Sequence, residues 1–312
     1  MNCEIASETR LGGRPYNEDR LAYFRTESAV LLALADGLGG HAHGDLAAEL
    51  AVQHMVDAFR EAARPRVANP DLFLFRAVGR VHAVLCALAR ERRLAETPRT
   101  TLVACVVQDG CAYWMHVGDS RLYLLRDRAV AMRTVDQTLV QELVACGRIT
   151  EQEAETHPQR NVLLQCLGGP LPPRLEPASM ARLRRGDVVL LCSDGFSGPL
   201  NSREIGQRVP AAGLQEALAG LAGEAEARAG AQCDNLSVLA LAWQEEAAEH
   251  AAPPDYRSLS DADIEREIEE LRRAFRAQRA AAPEYLTDEE IAREIERIRR
   301  AFRMQWALHA GS

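Results

Sequence analysis

Short apolar runs that end at an aspartate or a glycine constrain this chain more than any other feature. Ala29–Ala35 leads into Asp36-Gly37, Cys111–Val117 into Gly118-Asp119, and Val188–Cys192 into Ser193-Asp194-Gly195. Leu102–Val107 is another such run, and Asp234-Asn235 stands just before Leu236–Leu241. Apolar runs of this length bounded by turn residues read as strands. Between them lie helical patterns at Leu46–Arg60, Leu72–Arg90, Thr138–Ala145 and Leu214–Ala229. Strands outnumber long helices and neighbouring short strands favour antiparallel pairing. The expected class is therefore α+β rather than a regular βαβ alternation.

Length and charge narrow the options. A chain of 312 residues suits two domains, or one domain with an appendage, and 47% apolar residues suffice for a sizeable core. A net charge of −8, with no basic stripe, argues against nucleic acid as a partner. No apolar run reaches the ~18 residues of a membrane span, and the first ten residues carry Glu4 and Glu8 with no apolar leader, so neither membrane nor secretion is expected. Eight cysteines without a CxxC pair read as reduced thiols, which points to a cytoplasmic location.

The texture changes after Trp243. Residues 1–243 carry the strand-rich pattern, 244–258 form an expected linker containing Pro253-Pro254, and 259–312 contain an internal repeat offset by 27 residues. Leu259–Arg279 and Leu286–Trp306 are identical at 13 of 21 positions. Each copy has helix-start chemistry: Ser260 or Thr287 at the N-cap, an acid three residues on, and a leucine before the cap facing an isoleucine in the first turn. Apolar residues at 264, 268, 271, 275 and 291, 295, 298, 302 give narrow heptad-like seams. The expectation is a C-terminal helical hairpin that either folds back on the body or acts as a docking or dimerising module, because its seams leave little apolar area for an independent core.

The aspartates carry the chemistry. A carboxylate at a strand end is held by the sheet, and five such places exist: Glu18-Asp19, Asp36, Asp119, Asp194 and Asp234. A lone Asp-Gly is an ordinary turn dipeptide, so the inference rests on the set. Gathered carboxylates repel one another unless cations sit among them, and oxygen-only ligands suit Mg²⁺ or Mn²⁺. Arg14 adds a planar fork suited to phosphate.

In order along the chain, Gly12-Gly13-Arg14-Pro15-Tyr16-Asn17-Glu18-Asp19, Asp36-Gly37-Leu38-Gly39-Gly40-His41, Thr100-Thr101, His116-Val117-Gly118-Asp119-Ser120, Cys192-Ser193-Asp194-Gly195 and Asp234-Asn235-Leu236-Ser237-Val238 resemble the type-2C metal-dependent protein phosphatases in their compact bacterial form. The match covers about residues 4–243. The resemblance implies a four-layer α/β/β/α sandwich of two antiparallel sheets flanked by helices. It implies a protein serine/threonine phosphatase with two Mn²⁺ or Mg²⁺ ions and a weaker third. Asp36 would bridge two ions, with the Gly37 carbonyl on one. Asp194 and Asp234 would hold one metal, Glu18 and Asp19 would act near the other, and Asp119 would bind the third. Arg14 would grip the phosphate. Residues 138–168 would form a flap.

Phosphoproteins and a cognate Ser/Thr kinase are the implied partners. The alternative is a catalytically weak scaffold presenting the tail to a kinase or secretion-system partner. Leu38 stands where one branch of the family has its general acid, leaving His41 as the candidate proton donor. Gln137 and Arg99 also depart from the family pattern. His116, on an apolar strand, reads as a core histidine.

Overall fold

Each unbroken apolar run becomes a strand buried on both faces. In the computed structural model, which describes residues 1–39, 43–176 and 178–246, β3 (Ala29–Asp36) sends Leu31, Ala33 and Ala35 to one core and Val30, Leu32 and Leu34 to another. β4 (Leu102–Gln108), β9 (Val188–Cys192) and β10 (Leu236–Trp243) divide their side chains in the same way. A strand with no solvent face shows no polar alternation.

Two five-stranded sheets result. β1 (Cys3–Arg10), β10, β9, β6 (Arg121–Arg126) and β7 (Ala129–Arg133) form one. β2 (Asp19–Arg25), β3, β4, β5 (Cys111–Val117) and β8 (Ser179–Arg182) form the other. Every pairing is antiparallel. The sheets face each other across a core that includes Leu32, Leu34, Val103, Leu122, Leu191 and Leu239.

Helices cover both outer faces. α1 (Gly44–Ala62) and α2 (Pro70–Glu91) pack Met55, Phe59, Leu74 and Val78 on the second sheet. α2 is long and apolar enough to cross a membrane by length and composition, but its apolar side lies in this core. Its start is set by Asn69, whose side chain accepts the Leu72 N–H, and by Pro70 at the first helical position. On the first sheet sit α5 (Asp194–Ser197), α6 (Ser202–Arg208) and α7 (Leu214–Ala229). The short α3 (Leu139–Ala145) and α4 (Glu151–Thr156) pack on each other in the segment expected to be a flap.

The α+β class and the α/β/β/α layering agree with expectation. The expected C-terminal hairpin, 259–312, and most of the expected linker lie outside the described residues. Strand directions give the sandwich two distinct poles. β3, β5 and β9 end at one of them, where β2, β6 and β10 begin, and β10 finishes at the other, with Trp243 opposite Cys3.

Candidate metal centre

The shared pole collects the carboxylates. Asp19 and Asp36 are direct partners at the end of the β2–β3 ladder. Asp194 opens α5 just after β9, Asp119 sits in the β5–β6 turn, and Asp234 precedes β10. Asp36 feels, besides the loss of water around it, the charges of Asp19, Asp194, Asp119 and Asp234, and its carboxyl is held well above the usual carboxylate range. Burial also raises Asp19, to about 6, and Asp119, to about 7, with the Asp194 charge adding to both. Asp194 is raised by burial and then by Asp234. Five of the six predicted acids thus share one electrostatic neighbourhood. Glu18 joins it through Asp234: it is raised by burial, then by Asp45 and more weakly by Asp234, with Arg14 opposing.

Backbone bonds explain why these positions are fixed. The Asp36 carbonyl accepts from Thr101 N–H at 2.8 Å and Thr100 Oγ1 at 2.8 Å, and the Asp36 N–H donates to Thr101 Oγ1 at 3.1 Å. Asn235 ties the first loop to β10: its Nδ2 donates to the Leu11 and Tyr16 carbonyls, both at 2.9 Å, and its Oδ1 accepts from Glu18 N–H at 2.8 Å. Two glycines let these segments approach. A Cβ on Gly12 (φ +61°) would lie 2.3 Å from the Asp234 carbonyl oxygen, and one on Gly195 2.1 Å from that of Asn235.

Ser193 was not singled out from the sequence, yet it is central. Its buried hydroxyl donates to Asp19 Oδ2 at 2.8 Å and accepts the Ser237 N–H at 3.0 Å. Ser193→Ala is expected to cost about 1–3 kcal/mol of stability, because a buried N–H loses its acceptor. Denaturant unfolding would show it, and an unchanged midpoint and slope would remove this role. Gln137 also gains a definite function. Its Oε1 accepts the Gly118 N–H at 2.9 Å and its own N–H donates to the Gly118 carbonyl at 3.0 Å, clamping the turn that carries Asp119. A lone Gln in a loop gives no sequence signal of such a clamp.

Arg14 reaches Asp234, with Nη2 2.7 Å from Oδ2. Its guanidinium is about half exposed. Gly37, at the end of β3, donates its N–H to the Glu18 carbonyl at 3.1 Å. His116 was expected in the core but is only partly buried on β5, where its Nε2 meets the Val135 carbonyl at 2.9 Å. His41 lies outside the described residues.

The donor set fits hard divalent cations. Asp19 Oδ1 is buried without a hydrogen-bond partner, and the surrounding carboxylates repel one another in the absence of positive charge. All the donors are oxygens, which selects Mg²⁺ or Mn²⁺ over softer metals. Among the described residues no three Asp, Glu, His or Cys side chains stand close enough together to hold a metal ion, so the fit rests on the chemistry of the donors.

The family profile for Protein phosphatase 2C matches residues 11–258. The serine/threonine protein phosphatase PstP of Mycobacterium tuberculosis is 39% identical over 196 residues, which is 62% of this chain and 36% of that protein. The serine/threonine phosphatase stp of Listeria monocytogenes is 32% identical over 195 residues, 62% of this chain and 77% of that protein. A solved catalytic domain of PstP in complex with two manganese ions superposes with a TM-score of 0.66 at 30% identity, covering 78% of this chain and 99% of that domain. The chain thus spans only about a third of the length of the mycobacterial protein.

Proposed function

The chain belongs to the protein phosphatase 2C family, and from that premise we propose that it is a metal-dependent protein serine/threonine phosphatase that hydrolyses phosphoserine and phosphothreonine. The observation that carries this reading is the meeting of Asp19, Asp36, Asp119, Asp194 and Asp234 at one pole, with an unpartnered buried carboxylate oxygen among them.

Asp36, Asp194 and Asp234, with the Gly37 carbonyl, would hold a pair of Mn²⁺ or Mg²⁺ ions, supported by Glu18 and Asp19. Asp119 would hold a weaker third with Asp194. When bound, such ions supply Lewis acidity toward phosphoryl oxygen and an acidified water as nucleophile. The protein's own part is positioning. Ser193 fixes Asp19, Thr100 and Thr101 fix the Asp36 backbone, and Gln137 fixes the Asp119 turn. Arg14 is the phosphate-gripping group: its half-exposed fork already sits on a carboxylate at this pole, and a phosphate is a matching bidentate acceptor. The reading extends to phosphoprotein substrates and an opposing Ser/Thr kinase in the cytoplasm, a location that suits eight cysteines with no CxxC spacing among them.

Turnover of p-nitrophenyl phosphate and of a phosphothreonine peptide should require Mn²⁺ or Mg²⁺ and stop with EDTA. Wild type no faster than Asp194→Ala would defeat the proposal. The repeat in 259–312 is proposed as a module for docking or self-association. Deleting residues 256–312 should leave p-nitrophenyl phosphate turnover within about twofold while changing the light-scattering mass or the kinetics on phosphoproteins. If neither changes, the module has no such role.

A further inference from the structure

A cleft of about 510 Å³ runs from Asp119 and Asp194 between the α3–α4 segment and the α5–α6 side of the first sheet. Its charged groups divide into those already engaged and those not. Arg121 is held by Asp136 through two bonds of 2.8 and 2.6 Å, and Arg228 is held by Glu204 at 2.8 Å. Arg133, at the pole-side end of β7, and Arg160, after α4, are exposed and make no ion pair among the described residues. Glu151 and Glu155 lie one turn apart on α4 in the same cleft. The lining carries six acids and four arginines; with Asp136 and Glu204 engaged in ion pairs, the other charged groups are Asp119 and Asp194 at the centre, Glu151 and Glu155 on α4, and the two unengaged arginines, so the cleft reads charge by position.

We infer that this cleft seats the polypeptide flanking the phosphorylated residue, and that Arg133 with Arg160 selects substrates carrying a further anionic group near the scissile phosphate. The inference rests on the phosphatase reading. The volume is within the range of ligand-binding clefts, and the cleft shares Asp119 and Asp194 with the candidate centre. A second phosphate or a carboxylate would match an unengaged guanidinium, which binds either through paired N–H groups.

The full-length chain, loaded with Mn²⁺, should be tested on three phosphothreonine peptides: one with neutral flanks, one with glutamates on both sides, and one with a second phosphothreonine close by. Both anionic peptides should exceed the neutral one in kcat/KM by about 3- to 10-fold, chiefly through KM, and the excess should shrink at high salt. If only the doubly phosphorylated peptide gains, the selected group is phosphoryl and the inference stands. Arg133→Gln and the double variant R133E/R160E should level the three peptides. Arg185→Glu, at the opposite pole, should not. Thermal melting of each variant guards against misfolding, and Arg133→Gln is the milder change. Wild-type values within twofold for all peptides, or a preference that survives R133E/R160E, would overturn the inference. Wild type that turns over neither the peptides nor p-nitrophenyl phosphate would overturn both it and the reading beneath it.

Discussion

Asp36→Asn is expected to abolish turnover while making the metal-free protein more stable. The side chain stands amid the charges of Asp19, Asp194, Asp119 and Asp234. Asparagine keeps the shape and removes a carboxyl that folding must either protonate or hold charged, without water, among like charges. The backbone bonds of residue 36 to Thr100 and Thr101 are unaffected, and an amide can still hydrogen-bond to the neighbouring Asp19 and Asp194 carboxyls. Relief of repulsion should raise metal-free stability by about 1–3 kcal/mol, or roughly 2–8 °C in melting temperature. Loss of the proposed bridging carboxylate should lower kcat by about 10³-fold or more and weaken Mn²⁺ binding. Melting in EDTA, Mn²⁺ calorimetry and steady-state kinetics would read the three effects. If activity and metal-free stability fall together, Asp36 is a structural residue and the assignment of the centre fails.

The same repulsion predicts how the metal-free protein responds to pH. Burial and neighbouring charge raise Asp19 to about 6 and Asp119 to about 7, and raise Asp36 and Asp194 as well. In the unfolded chain these groups titrate near 4. Between those values the folded state binds more protons than the unfolded one, so stability falls as pH rises. The contribution is complete below about pH 4 and is lost as pH passes about 6 to 7. In EDTA, melting temperature should therefore drop by at least ~5 °C between pH 5 and pH 7.5. Excess Mn²⁺ should remove most of that drop at pH 7.5, because a ligand that binds only the folded state adds stability with concentration. A metal-free melting temperature that rises over this interval would contradict the crowding of these carboxylates.

Much of this was legible in the sequence, for a physical reason. Strands buried on both faces, such as β3, β4, β9 and β10, are long apolar runs that stop where the chain must turn. The carboxylates lie at those stops, so strand ends and candidate ligands were found together. Edge strands gave weaker signals: β7 reads AVAMR and is almost wholly exposed, and β1 mixes charged and apolar residues at intermediate burial. No run marks them, since one ladder partner and little burial suffice to hold them. The supporting bonds were hidden as well. Ser193, Asn235 and Gln137 act through partners 174, 217 and 19 residues away, respectively. Separations of that kind come only from the fold.

β10 begins beside Asp234 and ends at Trp243 on the opposite pole. Eight extended residues carry the chain about 26 Å from the carboxylate cluster. The molecule thus has a working end and a handle. A fluorescent label placed on the N-terminal residues of β1, which pair with the end of β10, would therefore be attached at the pole opposite the carboxylate cluster.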